Sequence, residues 1–188
     1  VNDNAKVVYK PQMVSESLLE NDVTVKEFLS SRDDDISNVS EELSLDSIMN
    51  SKMSSLSGGE RQRVYIAGTL LTEADTYLID EPSSFLDIGQ RFKISDLIRE
   101  YVQDQDSKCI VVEHDLAVLD MISDHIHVIY GEPSNFGVTS KRMTAKQGIN
   151  DYVTGRLSRD DIQIRSYEIE FSDSGEEKDT VIGSSLFN

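Results

Sequence analysis

Leu56-Ser57-Gly58-Gly59-Glu60-Arg61-Gln62-Arg63 sets two glycines between a serine and the start of a charged run. Glycines let the backbone approach an anion closely, and the first N–H groups of a helix lack partners within it. The stretch therefore reads as a phosphate grip made by Ser57, Gly58 and Gly59. It reads equally as ordinary loop sequence ahead of an ordinary N-cap. Downstream, Thr76-Tyr77-Leu78-Ile79-Asp80-Glu81-Pro82 predicts a short buried strand with an acidic pair at its carboxyl end. In open parallel sheets ligands bind at that edge. There one carboxylate of the Asp80–Glu81 pair can hold Mg²⁺, directly or through water, and the other can orient and deprotonate a nucleophilic water. The plainer alternative is a strand that ends in a solvated acidic turn and is stopped by Pro82. Lys108-Cys109-Ile110-Val111-Val112-Glu113-His114-Asp115 predicts another buried strand, with His114 at the same edge, where it can contact a terminal phosphate. A lone histidine after a strand is more often structural.

These three elements, in this order, resemble the second half of the nucleotide-binding domain of ABC-type ATPases. The signature of that family corresponds to Leu56-Ser57-Gly58-Gly59-Glu60, and its Walker B strand to Tyr77-Leu78-Ile79-Asp80-Glu81. Its D-loop corresponds to Ser84-Phe85-Leu86-Asp87, its switch histidine to His114 and its glutamine loop to Tyr9-Lys10-Pro11-Gln12. The resemblance implies an α/β, P-loop NTPase-like fold with a parallel-sheet core and a helical subdomain. It also implies ATP and Mg²⁺ as ligands. Asp80 and Gln12 take the metal, Gln12 also serving the attacking water; Glu81 is the catalytic carboxylate and His114 the γ-phosphate contact. In such ATPases a nucleotide is sandwiched between two cassettes. Ser57, Gly58, Gly59 and Glu60, with Asp87 of the D-loop, are thus implied to serve a nucleotide held by a second cassette.

Further stretches narrow the resemblance. They are Glu113-His114-Asp115-Leu116, Tyr130-Gly131-Glu132-Pro133-Ser134-Asn135-Phe136-Gly137-Val138, Gln90-Arg91 after the D-loop, Gly148-Ile149-Asn150, and the extended run 162–171. Together they resemble the twin-cassette ribosome-recycling ATPases of archaea and eukaryotes, also called RNase L inhibitors, and point to the first cassette and the hinge after it. That likeness implies a cytoplasmic enzyme, with no membrane partner, that couples ATP binding and hydrolysis to splitting of ribosomal subunits. Its implied partners are the second cassette of the same protein, the small ribosomal subunit and a release or recycling factor.

Some of the family's features do not occur in the sequence. No Walker A loop, Gly-x-x-x-x-Gly-Lys-Ser/Thr, occurs among the 188 residues. The cysteine-rich iron–sulfur domain is lacking too, for Cys109 is the single cysteine and one thiol cannot hold a cluster. A second cassette is likewise absent. The chain is therefore expected to be a fragment, with the Walker A half of its cassette missing, that by itself neither binds ATP tightly nor hydrolyses it. Two other readings share the motifs: the ATPase subunit of an ABC membrane transporter, and a degenerate cassette acting only as an interaction module. The Glu-His-Asp-Leu, Gly-x-Pro-Ser and Gly-Ile-Asn stretches favour recycling over transport, and intact Gln12, Asp80, Glu81 and His114 disfavour the degenerate cassette. The region before Leu56 lacks the heptads of a chromosome-organising ATPase head.

The formal net charge of −17 opposes long-range attraction to RNA. Acids gather around Asp33-Asp34-Asp35 and Glu41-Glu42, and again near Asp173, Glu176, Glu177 and Asp179. Lys141, Arg142, Lys146, Arg156, Arg159 and Arg165 can meet RNA locally, or are simply scattered surface charge. Together with the resemblance, the pattern implies a core strand and glutamine loop at 1–12 and a helical subdomain at 13–73. An ATPase core at 74–138, a helix and hinge-like segment at 139–171 and a disordered acidic tail at 172–188 follow. Within this frame the periodicity predicts short helices between 13 and 52, a helix over 58–71 and another over 88–102 that covers the sheet. Further on it predicts a short helix over 116–122, a strand over 126–130, and a helix from 144 to 153 stopped by Gly155.

Overall fold

The computed structural model describes residues 5–12, 23–33, 35–132, 134–166 and 169. The chain divides into two compact units, 1–124 and 125–188; this boundary falls inside the stretch 74–138 read as one core. Residues 13–22, the end of the extended run at 170–171 and the acidic tail at 172–188 lie outside the described residues.

The first unit is built on three parallel strands, β1 (Val7–Lys10), β2 (Thr76–Asp80) and β3 (Lys108–Val112), with β2 in the middle. Register places Val8, Tyr77 and Cys109 side by side, and likewise Lys10, Ile79 and Val111. Because strand side chains alternate, these six share one face. That face meets the core, where Tyr77 and Ile79 are buried with residues of helices α3 (Gly58–Leu70) and α4 (Ile88–Asp104), among them Val64, Ile66, Leu70, Ile94 and Ile98. The opposite face carries Val7, Tyr9, Ile110 and Val112, all exposed. The expectation that β3 is a buried strand is therefore corrected. Ile110 is 60% and Val112 52% exposed, because β3 lies at one end of the strand order and only its Cys109 and Val111 side is packed against the core.

Sequence chemistry explains the helix starts. Among the described residues, helices α1 (Val25–Ser30) and α2 (Ser37–Glu42) and a single 3₁₀ turn at Asp46–Ile48 fall in the stretch 13–52 where short helices are expected, and a further 3₁₀ turn follows at Met53–Ser55. Thr24 caps α1 through a reciprocal box with Glu27, and Ser57 caps α3 in the same way with Glu60. Asp87 caps α4, which runs two residues past its predicted end, and Asp115 caps α5 (Leu116–Ile122).

In the second unit the strand predicted over 126–130 is two strands. β4 (His125–Ile126) pairs with β7 (Met143–Thr144), and β5 (Ile129–Glu132) pairs with β6 (Phe136–Thr139), all antiparallel. The break falls at His127 and Val128. There the Ser140 hydroxyl accepts from Val128 N–H, Ser140 N–H donates to Val128 O, and His127 Nδ1 lies 2.8 Å from Ser140 O. Backbone partners taken from Ser140 at this point let the chain change sheets. Helix α6 (Ala145–Thr154) starts from Thr144 and stops at Gly155, whose φ of 76° is the left-handed conformation that ends helices. It leads to the pair β8 (Arg156–Leu157) and β9 (Ile162–Gln163), the described strand of the run predicted to be extended.

Candidate active site

Parallel pairing brings the carboxyl ends of β1, β2 and β3 to one edge, so Gln12, Asp80, Glu81 and His114 leave neighbouring strands on the same side. Glu81 is the hub. Its Oε2 accepts from Gln12 Nε2 at 2.7 Å and from Ser84 Oγ at 2.7 Å, and His114 Nδ1 lies 3.7 Å from its Oε1. The hydrogen bond from Ser84, then that from Gln12, holds the Glu81 carboxyl below the usual carboxylate range. Its backbone has φ 44°, a left-handed conformation unusual for a side chain of this size.

Asp80 makes no side-chain hydrogen bond or ion pair among the described residues and is only half-buried. A carboxylate left free at this edge, beside an amide whose nitrogen is already given to Glu81, suits a hard cation that takes one or two protein oxygens and keeps its waters. The residues present therefore fit Mg²⁺. No hydrogen bond or ion pair among the described residues joins Ser57, Gly58, Gly59, Glu60 or Asp87 to this group. Ser57 and Glu60 bond to each other, Glu60 Oε2 accepting from Ser57 N–H at 2.8 Å and Ser57 Oγ at 2.6 Å. Asp87 Oδ1 accepts from Gln90 N–H. The two glycines also lie under the following loop. A Cβ at Gly58 would sit 3.4 Å from the Phe85 ring, and one at Gly59 would sit 3.0 Å from Phe85 O.

A buried frame supports these groups. Lys10, 2% exposed, donates from Nζ to Asp80 O at 2.9 Å and Pro11 O at 3.2 Å; burial pulls its ammonium down to about 8 against the pull of Asp80, Glu113 and Glu81. The Glu113 carboxylate accepts from Ser83 Oγ and N–H and from the N–H groups of His114 and Asp115, joining the loop after β2 to the loop after β3. Arg91 ties the same two loops, donating to Leu86 O at 2.9 Å and pairing with Asp115 at 2.7 Å. Gln62, on α3, donates to Glu81 O at 2.7 Å and to Pro82 O at 2.9 Å.

Comparison with known proteins gives the family. The ABC transporter family profile matches residues 3–84. Translation initiation factor rli1 of Schizosaccharomyces pombe is 38% identical over 91% of this chain and 30% of its own length. Two solved structures, an RNase-L inhibitor and an archaeal ribosome recycling factor in complex with a ribosomal stalk protein, each align with a TM-score of 0.85 at 41% identity. They cover 93% and 94% of this chain respectively, and 34% of each of theirs. The chain belongs to the RNase L inhibitor family of ABC-type ATPases. It spans about a third or less of the length of the relatives it matches.

The supports, Lys10, Gln62, Glu113 and Arg91, carried no assigned role. One signal was available: Gln62 lies four residues before Ile66 and eight before Leu70, on the buried side of α3, where an amide must find partners. The basic residues of the second unit are partly spent internally. Arg156 pairs with Asp161, Lys141 with Asp160, and Arg159 donates to Arg142 O. No helix among the described residues is long and apolar enough to cross a membrane.

Proposed function

We propose that this chain supplies the hydrolytic residues of one ATP site and the serine–glycine clasp of another, in a cytoplasmic protein that couples ATP binding and hydrolysis to separation of ribosomal subunits. The observation that carries the reading is the convergence of Gln12, Ser84 and His114 on Glu81 at the carboxyl edge of the sheet. Held ionised near neutral pH, Glu81 accepts a hydrogen bond from the attacking water and turns it toward the terminal phosphate. His114, 75% exposed at its side chain, is free to meet that phosphate. Asp80 and the amide oxygen of Gln12 would hold Mg²⁺, which when bound offsets phosphate charge. Ser57, Gly58 and Gly59, with Glu60 and Asp87 alongside, serve a nucleotide held by a second cassette, offering main-chain N–H groups at the start of α3.

In this reading 1–12 supplies a core strand and glutamine loop, 13–73 the helical subdomain, 74–138 the rest of the ATPase core and 139–171 a C-terminal helix and hinge-like segment. With no Walker A loop in the sequence, the chain by itself binds ATP weakly and does not turn it over. An iron–sulfur cluster would need cysteines other than Cys109, in another part of the protein. Likeness to an archaeal ribosome recycling factor solved with a ribosomal stalk protein supports the ribosome as a partner, and within it the small ribosomal subunit and a release or recycling factor are the partners of this reading.

The test uses the complete gene product. Glu81→Gln is expected to lower ATP turnover by about 10²–10⁴-fold, the usual worth of a positioned acid–base group. The unaltered protein is expected to co-sediment with small ribosomal subunits in non-hydrolysable ATP. Turnover without ribosome association would return the reading to a transport ATPase, and neither activity would leave only an interaction module.

A further inference from the structure

We propose that Gln62 is a positioning residue that holds the main chain of the Glu81 segment against helix α3, so that the hydrolytic carboxylate and the helix opening at Ser57–Gly59 form one rigid piece. The inference rests on the reading of Glu81 as the hydrolytic carboxylate. Three successive carbonyls, those of Asp80, Glu81 and Pro82, each receive a buried side-chain donor: Lys10 the first, Gln62 the other two. Gln62 is 5% exposed, and both its contacts are carbonyl oxygens. Only the amide nitrogen can face them, and its two hydrogens are both used. The carbonyls it holds are those of Glu81, whose φ is left-handed, and of the residue after it, and such a conformation persists only where the surroundings enforce it. On the other side, Glu81 N–H donates to Val112 O at 2.8 Å, so the residue is clamped between β3 and α3. Five residues before Gln62 on the same helix start stands Ser57, the N-cap of the clasp. A shift of α3 as the clasp closes on one phosphate therefore carries the Glu81 backbone with it. No other hydrogen bond from α3 reaches 80–82 among the described residues.

Gln62→Met keeps the length and apolar volume of the side chain and removes both donors; Gln62→Glu keeps the shape and sets carboxylate oxygens against two carbonyls. In the complete gene product, Gln62→Met is expected to lower kcat by about tenfold, the effect of losing one to two net hydrogen bonds, with KM for ATP within about twofold. Gln62→Glu is expected to lower kcat further. In the chain itself, without nucleotide, amide exchange across 81–84 is expected to rise by about tenfold in Gln62→Met while exchange within α4 is unchanged. Gln62→Asn, which draws the same donors back by one methylene, is the replacement should either variant fail to fold, with the same rise expected. Wild-type kcat in Gln62→Met, or unchanged exchange at 81–84, overturns the proposal; a side chain needed only for packing gives that result. Turnover indifferent to Glu81→Gln would instead remove the catalytic reading, and exchange still decides what Gln62 holds.

Discussion

Cys109 on β3 and Glu81 just beyond β2 are shifted in opposite directions for different reasons. Burial alone pushes the Cys109 thiol up to about 11, whereas hydrogen bonds from Ser84 and Gln12 pull the Glu81 carboxyl down. For Cys109 the raised value in the folded state means that its contribution to stability is present below the ordinary thiol value of 9.0 and is lost as pH rises toward about 11. Alkylation by iodoacetamide at pH 8 is accordingly expected to be much slower in the folded chain than in urea, and equal rates would show that the thiol is not buried. For Glu81 the largest single influence is Ser84. Ser84→Ala removes that donor and is expected to move the acid limb of the pH–rate profile of the complete gene product to higher pH. A limb that stays in place would assign it to another group.

At the scale of elements, local signals and close contacts do different work. Thr24 and Glu27 form the same reciprocal cap as Ser57 and Glu60, on a helix away from the carboxylates. Thr24→Ala is expected to cost about 1 kcal/mol in urea unfolding, the usual value of an N-cap. N-caps are legible from residue type, which is why helices placed from the sequence over 58–71, 88–102 and from 144 begin at or beside the caps Ser57, Asp87 and Thr144. Close approach is not. A Cβ on Gly148 would come within 2.9 Å of Ile126 Cβ, so Gly148→Ala forces α6 and β4 apart, and about 1–3 kcal/mol of overpacking is expected from thermal melting. Unchanged stability there would mean that α6 shifts freely. The strand at 126–130 was misread for the same reason. No turn residue interrupts Ile126-His127-Val128-Ile129-Tyr130, and only the arrival of Ser140, twelve residues after Val128, divides it between two partners.

Across the whole molecule the net charge of −17 is an unfavourable self-repulsion, since acids outnumber bases 35 to 18. Added salt screens such repulsion, so the thermal midpoint is expected to rise between low and roughly 1 M ionic strength, where the Debye length is about 3 Å. A fall with salt would place the balance in attractive pairs such as Arg91 with Asp115 instead. The sequence by itself determined the order of motifs, the parallel α/β class and the placing of Asp80, Glu81 and His114 just at or beyond strand ends; Gln12 came from the family resemblance. These depend on short-range chemistry: apolar strands, caps, and carboxylates at strand ends. Tertiary structure alone decided which face of the sheet is covered, that Gln12 and Ser84 meet on Glu81, and that Lys10 and Gln62 hold three successive carbonyls. Those contacts join residues from 3 to 70 positions apart, and their geometry follows from strand register and helix packing, which no local pattern encodes.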